Sequence, residues 1–206
     1  MFTKCNDNFL LIPKGLSKTK ISKFSSFLSV EPVKTSISGL RVIGPLVAMN
    51  NNGILVSRLT EDEEIREIKR ETGLTIGRVH TKYTSIGNLI VVNDNGALLS
   101  EVLPKISVKL VADVLDVPID IMSIADYYQV GSMAVATNKG AVIHPHASED
   151  EVKRVQDILK VDVEPSTINS GVPYVSSGII ANSKNAIVGN LTNGPELSML
   201  SRILKV

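Results

Sequence analysis

The chain has 206 residues, 43% hydrophobic and 21% charged, which is the composition of an ordinary globular protein. Its 22 basic and 21 acidic side chains leave a net charge of +1, which argues against a protein that mainly neutralises nucleic-acid phosphates, DNA included. With one cysteine, Cys5, no signal peptide and no apolar run of about 18 residues, the sequence predicts a cytoplasmic protein that does not enter a membrane.

A repeat of about 44 residues organises the sequence. Four segments open alike, at 44–53, 87–96, 131–140 and 176–185, and a fifth copy is visible at 6–13. A unit this small cannot bury its own apolar face, so five copies must stack or close into one body. We therefore expect a single domain over residues 1–206, with repeats at approximately 1–43, 44–86, 87–130, 131–175 and 176–206.

Each repeat begins with a predicted β-hairpin. Asn52-Gly53 and Asn95-Gly96 stand between apolar runs, and both residue types tolerate the positive φ that a tight two-residue turn needs. The strand before each turn is apolar on both faces, which predicts burial on both sides. These strands are expected at 46–49, 89–92, 133–136 and 179–181.

A helix and a further strand follow each hairpin. Capping boxes are predicted at 60–63 and 148–151, and weaker helix signals cover 17–28, 104–115 and 195–204. Short strands at 75–79, 119–122 and 161–164 close units two to four. The acidic runs at 61–64 and 149–151 are interpreted as solvated first helical turns. Five such units predict an α/β fold, a five-fold pseudosymmetric α/β propeller with repeats of strand, turn, strand, helix and strand.

The sequence offers little that could carry catalysis. Cys5 lies in the first predicted strand, where it is interpreted as a small core residue. His144 and His146 could offer two imidazoles to a metal, but no nearby cysteine completes a ligand set. There is no phosphate-binding loop, and the repeated glycines precede strands rather than helices. No catalytic residue, no metal site and no cofactor is predicted.

Several long motifs resemble one known family. The run from 171 to 197, together with those at 130–140 and 87–94, is similar to archaeal and eukaryotic translation initiation factor 6. The likeness extends from about residue 37 to the C-terminus. It implies the pentein propeller and the absence of catalytic activity. It also implies a protein that binds the large ribosomal subunit and prevents its premature association with the small subunit. We expect this protein to be a monomer. The implied contacts are the C-terminal region of ribosomal protein uL14 and the neighbouring sarcin–ricin loop.

The sequence departs from the family at both ends. Family members carry additional N-terminal residues that complete the last blade, so we expect the ring to close incompletely or in a different way. The chain also stops at Val206, without the extended tail of eukaryotic members, and therefore resembles the archaeal type.

Equivalent strand starts in neighbouring blades should form a ring at one end of a propeller. The residues there are small or polar, and the resemblance places the ribosome-facing surface at this end, with Asn88 matching a contact position. For the glycines, tight loop entry is an alternative explanation, since either a positive φ or close packing would require glycine there. The predicted contact residues are Pro45, Gly87, Asn88, Gly131, Ser132, Ser176 and Ser177.

Two other functions compete with ribosome binding. One is a pentein-fold enzyme acting on guanidino groups, which needs a nucleophilic cysteine late in the chain, whereas residues 165–206 contain neither Cys nor His. The other is a repeat scaffold with a different partner, which leaves the family-like motifs unexplained. Fold alone does not separate these functions.

Overall fold

The computed structural model describes residues 2–206, which form five blades in chain order. Blade 1 contains β1 (Lys4–Cys5), β2 (Phe9–Pro13), α1 (Lys18–Leu28) and β3 (Glu31–Thr35). Blade 2 contains β4 (Val47–Met49), β5 (Gly53–Ser57), α2 (Asp62–Thr72) and β6 (Thr75–Val79). Blade 3 contains β7 (Ile90–Val92), β8 (Ala97–Leu99), α3 (Lys105–Leu115) and β9 (Ile119–Ile121). Blade 4 contains α4 (Val130–Met133), β10 (Ala134–Ala136), β11 (Gly140–Ile143), α5 (Glu149–Leu159) and β12 (Asp162–Pro165). Blade 5 contains β13 (Ile179–Ala181), β14 (Ala186–Val188) and α6 (Gly194–Leu204).

One strand order recurs in the sheets. The middle strand pairs antiparallel with the strand before it and parallel with the strand after the helix, as β11 does with β10 and β12. A parallel partner requires a crossover, and the helix of each blade supplies it. Blade 5 has only β13 and β14 within residues 2–206. These five small sheets with their helices confirm the predicted five-fold pseudosymmetric α/β fold.

The hydrophobic core lies between adjacent blades. The helix of one blade packs on the sheet of the preceding blade, as α3 does on β5 and β6. Val111 of α3 and Leu55 of β5 belong to the same buried cluster, and neither is exposed. Because each blade covers its neighbour, removing one blade would expose apolar surface on the next.

A closed ring of hydrogen bonds surrounds the propeller axis at the hairpin-turn end. One turn residue in each blade donates its backbone N–H to the side chain of the equivalent residue in the next blade, and blade 5 donates back to blade 1. In blade order, the donors Asp7, Asn51, Asp94, Asn138 and Ser183 lie 3.0, 2.8, 2.8, 3.2 and 2.6 Å from their acceptors. This ring satisfies half-buried backbone donors and joins all five blades at the axis.

The closure between blades 5 and 1 therefore does not depend on a third strand in blade 5. The Ser183 N–H donates to Asp7 Oδ1, and its hydroxyl donates to Asp7 Oδ2 at 2.9 Å. The Cys5 thiol donates to the Ala181 carbonyl at 3.2 Å. Within residues 2–206, these contacts join blades 5 and 1 near the turns, and β14 pairs with β13 alone.

Three local predictions differ from the structure. The hairpin turns contain no residue with positive φ at Asn52, Gly53, Asn95 or Gly96. The Asn50 side chain closes the first of these turns by accepting from the Asn52 and Gly53 N–H groups, at 3.1 and 3.0 Å. Gly53 is instead required by close packing, because a Cβ there would lie 2.0 Å from the Val114 carbonyl oxygen.

The other two differences are the position at which α2 begins and the presence of β3. The N-cap of α2 is Glu61 with Glu64 as its box partner, one residue later than predicted. Glu64 also receives the Ser38 and Gly39 N–H groups, at 2.7 and 2.9 Å, and this contact between blades fixes the register of the helix. Blade 1 contains β3, a strand that was not predicted from the sequence because Pro32 and the exposed Lys34 interrupt its apolar pattern.

Candidate functional site

A cavity of about 530 Å³ opens at the end of the axis opposite the hairpin turns. The short helical turns before the first strands of blades 2 to 5 surround it. Its lining residues carry neither an acid nor an arginine: Lys4, Gly44, Pro45, Gly87, Asn88, Tyr127, Gln129, Gly131, Ser132, Met133, Tyr174, Ser176 and Ser177. The structure thus gathers all seven residues that the repeat alignment predicted for the ribosome contact around one cavity.

The seven residues are not equally accessible. Ser177 is exposed, and the side chains of Pro45, Asn88, Ser132 and Ser176 are half-buried. The Asn88 side chain makes no hydrogen bond with another residue of the described chain, so its amide remains available to a partner.

Gly87 and Gly131 are buried and have a packing role. A Cβ on Gly131 would lie 2.2 Å from the carbonyl oxygen of Gly87, and a Cβ on Gly87 would lie 2.1 Å from that of Gly44. Successive turns therefore touch backbone to backbone around the axis. Of the two explanations offered for these glycines, close approach accounts for them, and positive φ does not.

Sequence reasoning missed several residues of the cavity. Lys4 lines it from β1, and burial lowers the pKa of its ammonium group. Tyr127 and Tyr174 lie on the connections that lead into blades 4 and 5. A signal was present in the sequence, because the chain has only four tyrosines, and Tyr127, Tyr128 and Tyr174 fall in equivalent connections.

Three buried or half-buried glutamates hold the connections that form the rim of the cavity. Glu196 at the start of α6 accepts from the Ser170 and Gly171 N–H groups, at 3.0 and 2.9 Å. It also accepts from the Thr167 hydroxyl at 2.6 Å and the Asn193 N–H at 2.9 Å. Burial opposes ionisation of Glu196, but these four hydrogen bonds outweigh it and lower its pKa to about 2.

The same arrangement recurs at Glu64, described above, and at Glu151 of α5. Glu151 Oε1 accepts from the Ala125 N–H at 2.8 Å, two residues before Tyr127. The predicted capping box at Ser148 and Glu151 is confirmed. One glutamate in each predicted acidic run is therefore more than a solvated charge. Glu64 in the run 61–64 and Glu151 in the run 149–151 each accept hydrogen bonds from the connection that precedes their blade.

The two neighbouring histidines do not form a metal site with other side chains. His144 is 3% exposed, and its Nδ1 accepts from the His146 N–H at 3.2 Å. Burial and the nearby His146 lower the pKa of His144, against an opposing effect of Glu151. Residues 2–206 contain no group of three or more His, Cys, Asp or Glu side chains placed to hold a metal ion.

Cys5 is not poised as a nucleophile. It is buried, it donates to a backbone carbonyl, and burial raises the pKa of its thiol to about 12. A thiol with such a pKa is almost entirely protonated at neutral pH, whereas thiol catalysis uses the thiolate. The interpretation of Cys5 as a core residue agrees with these observations.

The fold and the cavity define a propeller of the α/β class with a polar, largely uncharged depression at one end of its axis. The chain belongs to the eIF-6 family, whose family model matches residues 1–203. It is 52% identical over 202 residues to a protein named Translation initiation factor 6 from Nitrosopumilus maritimus, covering 98% of this chain and 91% of that relative.

Two further relatives carry the same name. The protein from Cenarchaeum symbiosum is 46% identical over 202 residues, with 98% of this chain and 91% of the relative covered. The protein from Pyrococcus furiosus is 45% identical over 209 residues, with 99% and 92% covered. The comparisons support a role as a translation initiation factor and confirm the family inferred from the sequence motifs.

The helices give no indication of a membrane span. Within residues 2–206, no helix combines the length and the apolar character needed to cross a bilayer.

Proposed function

We propose that the protein binds the large ribosomal subunit and prevents its premature association with the small subunit. The proposal is supported by membership of the eIF-6 family and by relatives named Translation initiation factor 6. The observation that carries the binding site is the single cavity around which Pro45, Asn88, Ser132, Ser176 and Ser177 converge.

The chemistry of this end suits binding better than turnover. Apart from Lys4, its polar groups are amides, hydroxyls and tyrosine side chains, which donate and accept hydrogen bonds. Few contacts usually carry most of the binding energy of such a surface. We propose the C-terminal region of ribosomal protein uL14 as the protein contact and the sarcin–ricin loop as a neighbouring RNA contact.

A passive mechanism follows from this geometry. A rigid ring that occupies part of the joining surface of one subunit excludes the other subunit by volume, without a chemical step. We therefore propose a non-catalytic protein that acts as a cytoplasmic monomer and needs no cofactor. An enzyme acting on guanidino groups is disfavoured because Cys5 is buried and protonated and residues 165–206 lack both Cys and His.

Co-sedimentation with purified archaeal subunits tests the proposal. The protein is expected to pellet with large subunits, to remain in the supernatant with small subunits, and to reduce the light-scattering signal of subunit joining. Equal pelleting with both subunits, or subunit joining that is unaffected at saturating protein, would contradict it.

A further inference from the structure

Two tyrosines on the rim of the axial cavity form a supported aromatic cluster. The rings of Tyr127 and Tyr174 lie edge to face, with centroids 6.0 Å apart and an interplanar angle of 83°. Both pack on His144, at 5.6 and 6.2 Å, and His144 packs on His146 at 5.4 Å. Tyr127 and Tyr174 are 39% and 42% exposed, whereas His144 is 3% exposed behind them. We call Tyr127 and Tyr174 the tyrosine rim.

The backbone that carries Tyr127 is held by several hydrogen bonds. Ala125 and Asp126 have φ values of 50° and 65°, a left-handed conformation that is unusual for alanine. The connection is closed by reciprocal backbone bonds between Ile124 and Tyr127, at 3.1 and 2.9 Å, and by the bond from Ala125 to Glu151. Because both rings already pack on each other and on the buried His144, a partner that covers them loses less side-chain entropy than it would on two free rings.

Exposed acidic side chains accompany the connection that carries Tyr127. Asp126 precedes Tyr127 directly, and Glu149 and Asp150 occupy the first turn of α5, whose Glu151 anchors the same connection. All three side chains are exposed, and none forms an ion pair with a described residue. The cavity lining itself holds one charged residue, Lys4, and the three acidic groups lie outside the lining on the side of Tyr127.

We propose that the tyrosine rim docks an arginine-bearing segment of a ribosomal protein, an inference that rests on the proposed function. Guanidinium groups stack on tyrosine faces, and exposed carboxylates nearby attract and orient them. Tyrosine is also among the residue types that dominate the energetics of protein interfaces. The same carboxylates would repel RNA phosphates, so this side of the ring contacts protein rather than RNA.

The chain offers a matched control for the test. Tyr128 is 52% exposed and directly adjacent, but it lies outside both the aromatic cluster and the cavity lining. Tyr127→Ala combined with Tyr174→Ala is expected to weaken large-subunit affinity on the order of 10-fold or more, and Tyr128→Ala to leave it within about 2-fold. Tyr127→Phe combined with Tyr174→Phe keeps both aromatic rings and should retain most of the affinity for large subunits. Equal affinities for wild type, the double alanine variant and Tyr128→Ala would refute the tyrosine rim while leaving the proposed function intact.

Charge reversal distinguishes a basic protein segment from RNA. Glu149→Lys with Asp150→Lys is expected to weaken large-subunit binding if the partner segment is basic. Tighter binding by this variant would show that the site faces phosphates and would overturn the proposal. The neutral pair Glu149→Gln with Asp150→Asn should fall between the reversed variant and wild type, and melting temperatures of all variants control for helix destabilisation.

A direct measurement covers the case in which the wild type does not bind large subunits. The probe is a hexa-arginine peptide, with hexa-glutamate as control, followed by NMR of the tyrosine ring resonances. Shifts at Tyr127 and Tyr174 with hexa-arginine alone would support the tyrosine rim even though the proposed function had failed. Absence of shifts, or equal shifts with both peptides, would overturn it.

Discussion

Replacing Glu196 by glutamine tests how the rim of the cavity is held. The Glu196 carboxylate is 7% exposed and receives four hydrogen bonds, two on each oxygen. A glutamine has one acceptor oxygen, and its NH₂ group would face two donors. The substitution therefore removes two charge-assisted bonds. With the NH₂ group at the Oε1 position, the Thr167 hydroxyl can rotate and accept from it, but the Gly171 N–H is left without a partner.

The expected loss can be worked out in two ways. Hydrogen bonds to a charged group contribute roughly 1.5–3 kcal/mol each, so losing two should cost about 3–6 kcal/mol before the structure relaxes. The pKa of Glu196 is lowered from 4.5 to about 2, which corresponds to about 3 kcal/mol of preference for the ionised form in the folded state. We expect the free energy of unfolding at pH 7 to fall by about 3 kcal/mol.

The pH dependence gives the sign of the effect. Because the folded pKa is depressed, the stabilisation is fully present above pH 4.5 and is lost as the pH falls towards 2. Urea unfolding measures this effect. The free energies of unfolding of wild type and Glu196→Gln should differ strongly at pH 7 and less at pH 3. Glu149→Gln, an exposed first-turn glutamate, serves as control and should change stability little. A Glu196→Gln protein as stable as wild type at pH 7 would refute this reasoning.

Three further outcomes are expected. Gly131→Ala should destabilise the protein by about 1–3 kcal/mol in urea unfolding, because its Cβ would lie 2.2 Å from the Gly87 carbonyl oxygen; an unchanged midpoint would contradict the packing. Cys5 should resist iodoacetamide at pH 8 in the folded protein and react in urea, since burial raises its pKa to about 12; rapid labelling without urea would argue against its burial. Hydrogen exchange should be faster in β14, which pairs with one strand within residues 2–206, than in the doubly paired β11; equal protection of the two strands would contradict this order.

Much of the architecture was predictable because the repeats share local patterns: apolar runs, turn residues and helix caps. Ser148 and Glu151 form a capping box within four residues, so the start of α5 could be predicted from the sequence alone. The start of α2 could not, because Glu64 is selected by the Ser38 connection of the preceding blade. Asn52-Gly53 illustrates the same limit, because Gly53 is required by close packing against Val114 of another blade and not by the conformation of its own turn.

The candidate site was predictable in outline. Equivalence between repeats was enough to predict that Asn88 and Ser132 lie at the same end of the axis, where both line the cavity. The tyrosine rim was not predicted, because it forms only when the connection carrying Tyr127 and the one carrying Tyr174 meet over His144. Which exposed side chains meet across blades is a property of the closed ring and is not encoded within one repeat.

The most direct test of the central claim is the affinity of Asn88→Glu for purified large subunits. Asn88 lines the cavity, is half-buried and makes no internal side-chain hydrogen bond, so an added charge should act on the partner and not on the fold. We expect a loss of about 1–3 kcal/mol, which is roughly a 5- to 150-fold weaker affinity. Ser26→Glu places the same charge on the exposed surface of α1 and should bind like wild type. Wild-type affinity for Asn88→Glu together with weakened binding by Ser26→Glu would show that the ribosome meets the side of the ring and not its axial cavity.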